Sequence, residues 1–133
     1  MQDGSTRELK VGDKDSVFAK FMTRFQASIV ILNGPATGTD CAVDSQRLVI
    51  GRGPGVDLAI DDSSISREHA VVEFSGQGFR ISDLGSTNGI VVNGSNVSVS
   101  DLKHSDKFQI GEHQFQFVVE ERSHTPTHVL PGN

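Results

Sequence analysis

The apolar residues of this chain come in runs too short for core helices, and almost every run ends at a turn former. The clearest is His69 to Phe74. There Ala70, Val72 and Phe74 fall on one face and His69, Val71 and Glu73 on the other, the period of two that a β-strand imposes. Ala27–Asn33, Thr39–Val43, Arg47–Ile50, Leu58–Ile60, Phe79–Asp83, Ile90–Val92, the stretch around Val97 and Val99, Phe108–Ile110 and His113–Glu120 read the same way. Turns separate them at Gly34-Pro35, Gly76-Gln77-Gly78, Asn88-Gly89, Asn93-Gly94 and Gly111-Glu112. Asn-Gly between apolar runs is a strong hairpin signal. Thr39–Val43 and Arg47–Ile50 read as a hairpin across Asp44-Ser45-Gln46. Roughly nine to eleven short strands so close together make an all-β sandwich. A length of 133 residues favours one domain with a real core.

One segment breaks the pattern. Val17, Phe18, Phe21, Met22 and Phe25 recur at the spacing of a helical face, with Asp15 or Ser16 as N-cap. The spacing predicts an amphipathic helix over Ser16–Phe25, within a segment 15–26 ahead of a sandwich at 27–121. Its plain role is a lid on the domain body; its sharper role is a docking helix for a partner. Residues 1–14 and 122–133 are polar or turn-rich and read as flexible tails.

Charge narrows the partners. The formal net charge is -5, where a duplex-binding protein carries a basic face. Between Leu48 and Asn93, Arg52, Arg67 and Arg80 stand against Asp57, Asp61, Asp62, Glu68, Glu73 and Asp83. Any anion site must therefore be built locally, and nucleic acid is not the expected partner. The single cysteine, Cys41, permits no internal disulfide and fits a reducing compartment. With no signal-peptide pattern and no run of membrane-spanning length, a cytoplasmic location is the default. The histidines lack metal-ligand spacing, and no nucleotide loop is present. No metal or other cofactor is expected.

Three loops carry the remaining chemistry: Gly51-Arg52-Gly53, Ser64-Ile65-Ser66-Arg67-Glu68-His69 and Leu84-Gly85-Ser86-Thr87-Asn88-Gly89. They offer two guanidinium groups, several hydroxyls and backbone amides freed by glycine. A phosphate monoester carries about -1.5 to -2 charges and three strong acceptor oxygens, which guanidinium forks and hydroxyls match. The Ser86 and Thr87 hydroxyls suit the phosphate, and the Asn88 amide suits a peptide backbone. Ser66 and His69 raise the idea of a catalytic pair, but no Gly-x-Ser-x-Gly elbow surrounds Ser66 and a triad needs a third oriented group. A structural histidine bridging two loops is the plainer reading, and a non-enzyme the expected class.

Gly51-Arg52, Ser66-Arg67-Glu68-His69, Leu84-Gly85-Ser86-Thr87-Asn88-Gly89 and Asn93-Gly94, in that order and spacing, resemble the signature of the forkhead-associated (FHA) domain over roughly Ser28–Glu120. The resemblance implies a sandwich of eleven strands that binds phosphothreonine peptides through loops at one end. It implies that Arg52 and Ser66 contact the phosphate, that Arg67 and Thr87 add contacts, and that Asn88 bonds the peptide backbone. Gly51, His69 and Gly89 would shape the loops. The implied role is a signalling adaptor downstream of a Ser/Thr kinase. The competing role is a constitutive scaffold for an unphosphorylated partner. Thr6, Thr125 or Thr127, once phosphorylated, could also return to the chain's own loops at high effective concentration.

Overall fold

The computed structural model describes residues 16–122. A helix, α1, covers residues 16–24. Eleven strands follow: β1 Phe25–Ile31, β2 Asp40–Ala42, β3 Arg47–Gly51, β4 Leu58–Ala59, β5 Ala70–Phe74, β6 Phe79–Asp83, β7 Ile90–Val92, β8 Ser95–Val97, β9 Val99–Leu102, β10 Lys107–Ile110 and β11 His113–Glu121. They form a six-stranded sheet, β2-β1-β11-β10-β7-β8, and a five-stranded sheet, β4-β3-β5-β6-β9. Among the described strands, only β3 and β4 run parallel. The all-β sandwich with a short N-terminal helix read from the sequence is the architecture observed.

The core lies between the sheets and follows the alternation. Ala27, Ile29 and Ile31 of β1 and Phe115 and Phe117 of β11 are buried while their neighbours in sequence face outward. Leu48 and Ile50, Ala70, Val72 and Phe74, and Ile81 supply the opposing layer. Burial of this apolar surface is the main driving term for the fold. Val71 departs from the strict alternation. It points away from the core cluster yet is buried, flanked in register by Val49 and Ser82 of the neighbouring strands.

One expected pairing is wrong. β2 and β3 do not form a hairpin: β2 pairs with β1 in one sheet, and β3 with β4 and β5 in the other. Asp44-Ser45-Gln46 is a crossover between layers. The fully buried Val43 causes the divergence, because it enters the core while its amide donates to the Ala27 carbonyl at 2.8 Å. The Asn93-Gly94 hairpin does form, between β7 and β8. Both residues take positive φ, 48° and 88°, as a type I′ turn requires.

Helix α1 closes the end of the sandwich opposite the β3–β4, β4–β5 and β6–β7 loops. Phe18 meets Phe74 with centroids 5.2 Å apart, and Phe21 stands 5.2–5.5 Å from Phe25, Phe74 and Phe79. The Arg122 Nε donates to the carbonyls of Met22 and Phe25 at 2.6 and 3.0 Å, and the Arg122 amide donates to Arg24 at 2.7 Å. A cation thus satisfies carbonyls left open at the helix C-terminus. Phe18 and Phe21 of α1 pack against the core, while Val17 stays exposed. No helix among the described residues is long and apolar enough to cross a membrane. The tail readings for 1–14 and for 123 onward, with Thr6, Thr125 and Thr127, lie outside the described residues.

Candidate functional site

The β3–β4 and β4–β5 loops are zipped together by backbone. The Arg52 amide donates to the Ser66 carbonyl and the Gly53 amide to the Arg67 carbonyl, both at 3.0 Å. The approach is close enough to demand glycine. A Cβ on Gly51 would lie 2.8 Å from the Arg67 carbonyl carbon and closer still to its oxygen.

His69 joins this pair to the β6–β7 loop. Its ring is fully buried. Nδ1 accepts from the Ser66 amide at 3.0 Å and Nε2 meets the Gly89 carbonyl at 2.8 Å. An amide can only donate and a carbonyl only accept, so the partners fix a neutral ring with its proton on Nε2. Both ring nitrogens are engaged by backbone and neither faces the Ser66 hydroxyl. The ring thus links the β4–β5 and β6–β7 loops through their backbones. The Ser66 hydroxyl accepts from the Thr87 amide at 3.1 Å, and its own proton remains for a ligand.

Arg52 is anchored at one end. Its Nε donates to the Ile65 carbonyl at 3.0 Å, and the two terminal nitrogens form the outward fork. Arg24, Arg47 and Arg80 each pair with a carboxylate; among the described residues Arg52 and Arg67 do not. The Asn88 amide donates to the Ser64 carbonyl at 2.8 Å, keeping its oxygen and its second N–H for other partners. Arg52, Ser66, Arg67, Thr87 and Asn88 line one open cleft of about 400 Å³ together with Ser63, Ser64, Ile65 and Glu68. Size does not single it out, since a depression of about 450 Å³ beside Arg47 and Glu73 is as large. Its convergent, unneutralised donors do.

Ser86 is placed differently from its neighbours. Its hydroxyl donates to the Asp83 carboxylate and accepts from the Gly89 amide at 2.8 Å, while the Ser86 amide also donates to Asp83. The side chain is engaged inside its own turn and lines an adjoining depression that shares Thr87 and Asn88 with the cleft. Gly85 and Gly89 take the positive φ angles of this loop, 78° and 73°; Asn88 does not. The Ser86 hydroxyl thus braces its own turn. Asp83 was missed, although Asp followed three residues later by Ser is a local side-chain-to-backbone pattern.

A second missed element stands behind the β4–β5 loop. Asp62 accepts from the Ser64 amide at 2.8 Å and from His113 at 2.9 Å. The Ser64 hydroxyl accepts from the Glu112 amide at 3.1 Å. The Ser64 amide, and then His113, hold the Asp62 carboxyl at about 2, below its ordinary 3.8. These bonds tie the loop of one sheet to the β10–β11 turn of the other.

Eleven strands in two sheets, carrying zipped arginine and serine loops at one end, define an FHA domain. Residues 30–121 match the family described as inner membrane component of T3SS, cytoplasmic domain, and the chain belongs to that family. The chain is 34% identical over 92 residues to the oxoglutarate dehydrogenase inhibitor of Corynebacterium jeikeium, covering 69% of this chain and 64% of that one. It is 34% identical over 97 residues to the glycogen accumulation regulator GarA of Mycolicibacterium smegmatis, covering 73% of this chain and 61% of that one. It therefore spans less than two thirds of these relatives. Among solved structures, Mycobacterium tuberculosis EmbR in complex with a low-affinity phosphopeptide superposes with a TM-score of 0.67 at 29% identity, over 74% of this chain and 26% of that one. A domain studied for phosphothreonine-dependent FHA interactions gives 0.65 at 26% identity, over 70% of this chain and 95% of that one.

Proposed function

We propose that this domain is a non-catalytic reader of phosphothreonine in partner proteins, acting as an adaptor downstream of a Ser/Thr kinase in the cytoplasm. The carrying observation is the gathering of Arg52, Ser66, Arg67, Thr87 and Asn88 around one cleft in which neither arginine has a carboxylate partner. The fork of Arg52 and the hydroxyl proton of Ser66 meet the phosphate oxygens. Arg67 and Thr87 add donors from the two flanking loops. Asn88, steadied on Ser64, hydrogen-bonds the peptide backbone beside the phosphothreonine. Gly51, His69 and Gly89 hold the loops in register, and Ser86 with Asp83 holds the shape of the third. The phosphopeptide complex of EmbR and the phosphothreonine dependence of a second neighbour support the ligand class.

The test is titration of a fluorescent phosphothreonine peptide pool into the wild-type chain and into Arg52→Ala and Ser66→Ala, with an unphosphorylated pool as control. Loss of one charge-assisted bond costs about 1.5–3 kcal/mol, so each variant binds roughly tenfold more weakly or worse. Thermal melts matching wild type show that the fold is kept. Equal affinity for phosphorylated and unphosphorylated pools, or an unaffected Arg52 variant, rejects the assignment.

A further inference from the structure

The cleft contains a group that an anion site should not want. Glu68 lines it beside Arg52 and Arg67. It is exposed, and no hydrogen bond or ion pair engages its side chain among the described residues. Neither arginine neutralises it. A carboxylate at the rim of a phosphate site repels the dianion and any acidic residue that comes with it. That repulsion is offset when the ligand itself brings a cation to the same spot.

We propose that Glu68 is the specificity-determining residue of this cleft, and that the phosphothreonine peptide it takes carries a lysine or arginine close to the phosphothreonine, set against Glu68. The inference rests on the phosphothreonine reading and narrows it from any phosphothreonine to one in a basic context. The surroundings of the cleft agree. Asp61 and Glu112 are exposed, and their carboxylates are unpaired among the described residues. They sit on the β4–β5 loop and the β10–β11 turn, which meet where the Glu112 amide donates to the Ser64 hydroxyl. On the other flank, Asn96, Val97 and Ser98 are neutral, and the one carboxylate, Asp83, accepts from Ser86. The net charge of -5 also favours the approach of a basic peptide over an acidic one.

The experiment uses the full chain and phosphothreonine peptides in which each of three positions on either side is lysine, alanine or glutamate, read by fluorescence anisotropy at low and high salt. Glu68→Gln and Glu68→Lys are measured beside wild type. At one or two positions, wild type binds the lysine peptide roughly tenfold more tightly than the glutamate peptide. Glu68→Gln narrows that gap, Glu68→Lys reverses it, and salt shrinks it. A wild type indifferent to flanking charge overturns the proposal, as does a preference that both variants keep. Absence of binding to every phosphothreonine peptide is a different failure and removes the functional reading beneath it.

Discussion

At the scale of single residues, the site depends on backbones that come unusually close. Gly51 shows this most directly. Its φ is not in the left-handed region, so the requirement is for space rather than for conformation. The atoms a Cβ would meet are the carbonyl of Arg67 and the Cα of Glu68, and backbone cannot swing aside as a side-chain tip can. Gly51→Ala should separate the β3–β4 and β4–β5 loops at the bonds that set Arg52 against Ser66. We expect a loss of about 1–3 kcal/mol in urea denaturation, the usual cost of overpacking, together with weaker phosphopeptide binding. A variant as stable as wild type would show that the loops tolerate separation. That the loops carrying Gly51, Arg52, Ser66 and His69 meet was legible in the sequence, because those residue types and their spacing are specific. The Ser86–Asp83 bond was not, because a serine in a polar turn looks the same whether or not its hydroxyl meets the carboxylate three residues back.

At the scale of elements, α1 and the loops occupy opposite ends of the sandwich, and their contributions should separate. Phe21 is half-buried and touches Phe25, Phe74 and Phe79. Phe21→Ala should lower stability by about 2 kcal/mol, less than the figure for a fully buried ring. Phosphopeptide affinity should stay within roughly twofold, because distant, unconnected sites act independently. A large affinity loss in a still-folded variant would instead couple the lid to the loops. The periodicity of Val17, Phe18 and Phe21 made this helix readable. The β2–β3 crossover was not readable from its own residues: Asp44-Ser45-Gln46 suits a hairpin and a change of sheet equally well. The outcome depends on where Val43 is buried, which is set by tertiary packing.

At the scale of the whole molecule, the loop end is where the two sheets are joined by polar groups as well as by the core. Asp62 is the joint, accepting from Ser64 of its own loop and from His113 at the start of β11. Its carboxyl is held near 2, against an ordinary 3.8. A depressed carboxyl favours the folded state when ionised. Its contribution is therefore complete above about pH 4, and it falls away as pH drops from there toward 2. Wild type alone cannot isolate the joint, because a pH profile sums over every ionisable group. Asp62→Asn can, because its amide oxygen still accepts but no longer titrates. Urea midpoints for both proteins at pH 6, 4 and 2.5 should show wild type ahead at neutral pH and the gap closing through the acid range. A gap that is constant with pH would mean that Asp62 acts through shape alone. If the gap closes, phosphopeptide binding near neutral pH should weaken in Asp62→Asn as well, because the loop that Asp62 fastens is the one that presents Ser66 and supplies the Ser64 carbonyl to Asn88.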